Sequence, residues 1–287
     1  MNEPIRIEDI RALYGWFEEN ELDIRLGEAP TDWFALSKEI ANRARRKTPP
    51  ASTPRQTAPG PHPARPAPPP ARPRAPVQAP AQPPDEAIMA ARESAGGAAD
   101  LDDLHARLAA FDGCRLKLTA KSLCFYRGAG TAPLMVIGEA PGRDEDIQGR
   151  PFVGRAGQLL DRMLAAIGIT ETDVHITNIV YWRPPGNRNP TPEEAQICLP
   201  FVERQIQLVA PRVLFLLGRP ASNHLMKTTE GIMKLRGKWR TLAFGDFSVP
   251  ALASLHPAYL LRTPAAKRMA WRDLLSLQDA LEREDPP

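Results

Sequence analysis

At 287 residues with 43% apolar side chains, the chain is long enough to bury one sizeable core or two small ones. Its 37 basic residues nearly cancel its 34 acidic ones, so any footprint for a polyanion must be a local patch. There is no signal-peptide pattern and no apolar run of membrane-spanning length, and three scattered cysteines are too few for a disulfide framework, so a reducing cytoplasm is the expected setting.

In chain order, residues 1–48 read as a small helical segment. Ile7, Ile10, Leu13, Trp16 and Phe17 recur at helical spacing, and Thr31 before Asp32 suits a helix start. Residues 49–86 form a Pro/Ala-rich linker. Fifteen of the chain's 32 prolines fall between Pro49 and Pro84, and so few apolar side chains cannot offset the entropy of ordering. An extended, polyproline-rich spacer is expected there.

Residues 87–287 have the length of one domain. Four β-branched apolar runs stand out: LMVIG (134–138), VHITNIV (174–180), VLFLLG (213–218) and VPALASL (249–255). None alternates strictly with polar residues, as expected of strands covered on both faces. Helical patterns lie between and after them at 156–169, 191–211, 219–226 and 265–282. The order predicts an α/β fold, three layers (α/β/α) around a mostly parallel four-stranded sheet.

In such sheets ligands bind beyond the carboxyl ends of the strands. The sequences there are GEAPG, NIVYWRPPGNR, GRPAS and HPAYLLR. The longest of the glycine-rich loops, GEAPGRDEDIQGRPFVGRAG (138–157), carries no phosphate-loop or dinucleotide fingerprint, and its four carboxylates would repel a triphosphate. A magnesium site finds no further acids at the other strand ends, which supply Asn178 and His256. Asp146 reads as part of a solvated, helix-capping turn.

Together these ends offer a different chemistry. Phe152 is an aromatic face among glycines, Asn178 carries both a donor and an acceptor, and His256 can donate to an oxygen that becomes negative. A stacking face, an edge reader and an anion-stabilising donor describe a nucleobase pocket. KLRGKWR places Lys234, Arg236, Lys238 and Arg240 at every second position, on one face if the segment is a strand, where they would contact phosphates. Arg262 would do the same, with Leu260 or Leu261 wedging into the gap left by a flipped base.

The motifs GEAPGRDEDIQGRPFVGRAGQLLD, NIVYWRPPGNRNPTPEE and HPAYLLR, in that order across roughly 111–282, resemble the uracil-DNA glycosylase superfamily, in particular its family 4. The resemblance implies hydrolysis of the deoxyuridine glycosidic bond in single- or double-stranded DNA, by a monomer. It puts the backbone of Glu139 and Ala140 against the base and its attacking water, Phe152 on the uracil ring, Asn178 on its edge and His256 at O2. Ala140 stands where the best-known relatives have Asp, so Glu139 or Glu145 would orient water or balance the sugar's charge. A binding module without turnover, or a covalent uracil trap, are alternatives; the latter resembles a group with an extra basic loop after PFVG, which is lacking in PFVGRAGQ.

Family 4 enzymes usually carry an iron–sulfur cluster on four cysteines. Here only Cys114 and Cys198 match ligand positions, Lys117 and Trp182 stand in the other two, and Cys124 matches none. Two thiolates fall short of a cube that takes four, so no cofactor and no metal are expected.

Overall fold

A computed structural model describes residues 84–283. The expected N-terminal helical segment and nearly all of the expected linker lie outside those residues. The first helix, α1, spans Pro84–Gly96, so the last three residues assigned to the linker belong to the folded domain. Helix α2 follows at Leu101–Ala110, with Asp100 accepting the Asp103 backbone N–H at its start.

Among the described residues, the sheet has six strands where four were expected. They are β1 (Arg127–Gly128), β2 (Leu134–Gly138), β3 (Val174–Asn178), β4 (Val213–Leu217), β5 (Trp239–Phe244) and β6 (Phe247–Ser254), in the order β1-β3-β2-β4-β6-β5. The four apolar runs supply the central parallel strands β3, β2, β4 and β6. The two additions are antiparallel edges, β1 on β3 and β5 on β6. Both escape an apolar-run reading for physical reasons: β1 is two residues long, and edge strand β5 is only partly buried along WRTLA.

The intervening helices are α3 (Arg143–Gln148), α4 (Arg155–Ala165), α5 (Pro192–Val209), α6 (Arg219–Leu225), α7 (Ile232–Leu235), α8 (Pro257–Arg262) and α9 (Lys267–Glu282). Thr191 caps α5 as expected, accepting from the Glu194 backbone N–H while the Glu194 carboxylate reaches back to the Thr191 N–H. Alternate strand residues serve opposite faces. Met135, Ile137, Leu214, Leu216, Ala251 and Ala253 join one core with residues of α1, α2 and α5. Their neighbours in sequence, including Leu134, Val136, Phe215 and Leu252, are equally buried on the other face, where α9 packs on β4 and β6.

One polar chain crosses the interior. The Tyr181 hydroxyl donates to Gln205 Oε1 (2.9 Å), which leaves the Gln205 amide N–H as donor to His175 Nε2 (2.9 Å), while His175 Nδ1 lies 2.7 Å from the Ala129 carbonyl. Only a neutral imidazole, donating from Nδ1 and accepting at Nε2, satisfies both neighbours. Burial pushes the His175 pKa down to about 4. The unfolded histidine takes a proton near its ordinary value of about 6.5. The stability this difference supplies is therefore complete above that pH and is lost as pH falls toward about 4. The urea midpoint is expected to decline across that window. His175 should stay neutral at pH 5 by ring-nitrogen NMR; an imidazolium signal there would contradict the network.

Candidate active site

The parallel strands end level with one another: Gly138 of β2 pairs with Asn178 of β3. Beyond them, Ile179 N–H donates to the Gly138 carbonyl and Val180 N–H to that of Glu139, so the two chains stay in register past the sheet. Gly138 is needed for close approach. A Cβ there would overlap the tip of Phe152 and lie 2.5 Å from Asn178 Oδ1. Asn178 is 1% exposed, and its Oδ1 has no hydrogen-bond partner. An unpaired buried acceptor costs free energy, which a ligand offering a donor recovers.

Phe152 reaches this point through an unusual turn. Its φ of 54° lies in the left-handed region, disfavoured for a bulky residue. Gly157, in the first turn of α4, sits directly against the Phe152 carbonyl and leaves no room for a side chain. Glu145 holds the loop from the other side: its two oxygens accept the backbone N–H groups of Gly142 (3.1 Å) and Gly154 (2.9 Å). Asp146 is buried as well, accepting from the Lys121 and Ser122 backbones. Glu145 is thus a loop clamp, not the carboxylate expected to serve water or sugar, and Asp146 is not the solvated residue expected.

His256 follows β6 and caps α8. Its Nδ1 accepts the Ala258 backbone N–H at 3.2 Å, so the neutral ring carries its proton on Nε2 and keeps that donor for a ligand. Burial, with a smaller contribution from the Arg262 charge, lowers its pKa to about 4, which keeps the ring neutral near pH 7. The ring stacks on Phe152 with centroids 5.6 Å apart and planes 29° from parallel. His256 also borders a cleft of about 260 Å³, lined by Glu139, Arg219, Met233 and Tyr259 among others. Burial raises the pKa of Glu139 above the ordinary carboxylate value, and its Oε1 has no partner.

The structure thus gathers Glu139, Ala140, Phe152, Asn178 and His256 at one end of the sheet. It disperses the basic segment. KLRGKWR is not one strand: Lys234 lies within α7, the chain turns at Gly237, and β5 begins only at Trp239. Lys234 and Lys238 are exposed, whereas Arg240 pairs with Glu230 at 2.9 Å. Arg236 is committed to the buried Asp273, which also accepts from the Ser254 hydroxyl at 2.6 Å. That ion pair braces the end of β6, two residues before His256. Leu260 is fully buried and Leu261 half-buried; Arg262 is exposed. Sequence reading missed Arg219, Met233 and Tyr259. Helical spacing in PAYLLR holds the signal for the last, since Pro257 and Leu260 turn inward and Tyr259 and Arg262 outward.

A model of the uracil DNA glycosylase superfamily matches residues 125–275. The chain belongs to this superfamily. A type-4 uracil-DNA glycosylase of Saccharolobus solfataricus is 38% identical over 173 residues, covering 58% of this chain and 80% of that protein. One of Archaeoglobus fulgidus is 35% identical over 190 residues, 65% of this chain and 96% of the relative. One of Thermotoga maritima is 36% identical over 174 residues, 60% and 89% respectively.

The four residues that the resemblance would set at cluster positions, Cys114, Lys117, Trp182 and Cys198, do not suit an iron–sulfur cube. Cys114 and Cys198 are buried with sulfurs 3.9 Å apart, the Cys198 thiol donating to Cys114, which lowers the Cys114 pKa and raises that of Cys198. The Lys117 ammonium donates to the carbonyls of Ala109 and Phe111 and to Asp112, capping the end of α2. Trp182 is buried edge-on against Tyr181. Two thiols, an engaged ammonium and an indole cannot replace four thiolates.

The close contact at Gly157 makes a direct test of this glycosylase-family pocket. Gly157→Ala is expected to displace the Phe152 turn and to cost about 1–3 kcal/mol of stability, as overpacking does. A urea titration reads this as a lower midpoint; an unchanged midpoint would mean that the turn yields freely.

Proposed function

We propose that this chain hydrolyses the N-glycosidic bond of deoxyuridine in DNA, releasing uracil and leaving an abasic site for base excision repair. The observation that carries this reading is the buried, unpartnered Asn178 Oδ1 beside the Phe152 ring. Uracil presents an N3–H to that acceptor and an O4 to the amide N–H. Cytosine presents an unprotonated N3 and an amino group, so acceptor would face acceptor and the base is rejected. Phe152 covers the flipped ring.

In the reaction, the C1′–N1 bond breaks as the oxygen of water bonds to C1′, and the proton that water loses passes to the Glu139 carboxylate. Uracil departs as an anion whose O2 accepts from His256 Nε2–H. A neutral donor held in place by its Nδ1 cap stabilises that charge without first transferring a proton. The developing positive sugar is balanced by Glu139, the cleft carboxylate available beside Ala140, which also orients the water. Arg219, Arg262, Lys234 and Lys238 are exposed cations for the DNA backbone. As part of the same reading, the protein works as a monomer in the cytoplasm and holds no iron–sulfur cluster. Among the described residues, no helix is long and apolar enough to cross a membrane.

Uracil release from labelled oligonucleotides, followed by alkaline cleavage, tests the activity. His256→Ala is expected to lower kcat about 100- to 1,000-fold, with DNA affinity little changed. Normal turnover by that variant would remove His256 from the chemistry. A shifted, crosslinked band would instead indicate a covalent trap, and binding without strand breaks a recognition module. Iron analysis of the purified protein tests the cluster. A colourless protein with less than one iron per chain is expected, whereas about four irons would overturn the assignment of Lys117 and Trp182.

A further inference from the structure

The exposed face of α8 raises a question that the pocket does not answer. A nucleotide turned out of a duplex leaves a gap, and side chains inserted into the base stack hold such gaps open. Leu260 cannot do this, because it is 0% exposed and packed into the core. Leu261 is half-buried. Tyr259 is 37% exposed and lines the same cleft as Glu139 and His256. Its backbone is fixed: its N–H donates to the His256 carbonyl at 2.8 Å, and its own carbonyl accepts from Thr263 at 2.8 Å.

Met233 provides the other edge. It is 56% exposed and belongs to α7, lining the same cleft. Of the five large apolar side chains left exposed among the described residues, two therefore meet at this one place. Exposed apolar surface gathered at a cleft marks a contact with something apolar. Exposed Arg219 also lines the cleft, and exposed Arg262 lies one turn beyond Tyr259 on α8. Apolar faces bordered by cations match stacked bases bordered by phosphates.

We propose that Tyr259, flanked by Met233, is the side chain that occupies the gap in the duplex, the part the sequence reading gave to Leu260 or Leu261. This rests on the glycosylase reading. The ring stacks on the bases bordering the vacated position, three residues from the donor that acts on the flipped uracil. Because a single strand has no stack to fill, the residue acts selectively on duplex substrate. A tyrosine suits the task, since it offers a flat face for any base together with a polar end that tolerates water.

The test compares single-turnover uracil release from duplex and single-stranded DNA, alongside binding of a duplex carrying an abasic site. In Tyr259→Ala the duplex-to-single-strand rate ratio is expected to fall roughly 10- to 100-fold, as loss of one stacked base implies. Affinity for the abasic duplex should fall by a similar factor, while Tyr259→Phe keeps both. Matching thermal midpoints exclude a folding defect. An unchanged ratio in Tyr259→Ala, or a fall in Leu261→Ala instead, overturns the proposal. So does equal loss on both substrates, which would place Tyr259 at the chemical step. If the wild type releases no uracil, the glycosylase reading fails, and abasic-duplex affinity alone still decides the role of Tyr259.

Discussion

The pocket depends on an absent side chain. At Gly138 the space of a single methyl group is shared by the tip of Phe152 and the amide oxygen of Asn178. One comes from a loop and the other from the end of β3, and they meet only because β2 ends without a Cβ between them. The parallel register sets Gly138 opposite Asn178, and the bonds from Ile179 and Val180 carry that alignment past the sheet. Phe152 and Asn178 are therefore fixed relative to each other by backbone before any ligand arrives. Pre-organisation of this kind spares binding the entropy of ordering the loop.

The parts of this architecture most legible in the sequence are those that obey local rules. Four buried parallel strands declare themselves as unbroken apolar runs, and Thr191 declares a helix start. Phe152, Asn178 and His256, which the structure brings together, stood out in the sequence because each lies at the end of a strand or beside a glycine-rich turn. What escaped depends on long-range partners. The partner of Arg236 lies 37 residues away, and no local pattern distinguishes it from Lys234. Glu145 and Glu139 are both acids of one loop, yet one is bound by two backbone donors and the other retains an unpartnered oxygen. Burial on a short helix separates Tyr259 from Leu260 in the same way, the first exposed and the second packed into the core.

Around Cys114, several side chains tie neighbouring elements together. Lys117 ties the 3-10 turn at Arg115–Leu118 to the end of α2, and the Cys114–Cys198 contact ties the same region to α5. Trp182 adds volume beside Tyr181, itself anchored through Gln205 to His175. The packing here is continuous with the main core, so the elements around the pocket rest on ordinary burial and hydrogen bonds.

The two-sided grip of Glu145 has a mechanical meaning. Its carboxylate joins the start of α3 to the start of α4, closing the intervening chain into a ring without a covalent bond. Added length within the ring would cost only the slow, logarithmic entropy of a longer loop. Phe152 lies inside that ring, two residues before Gly154, so its position depends on the closure that Glu145 provides. Loss of the Glu145 carboxylate would therefore be felt at Phe152, although the closure needs no direct contact between the two side chains.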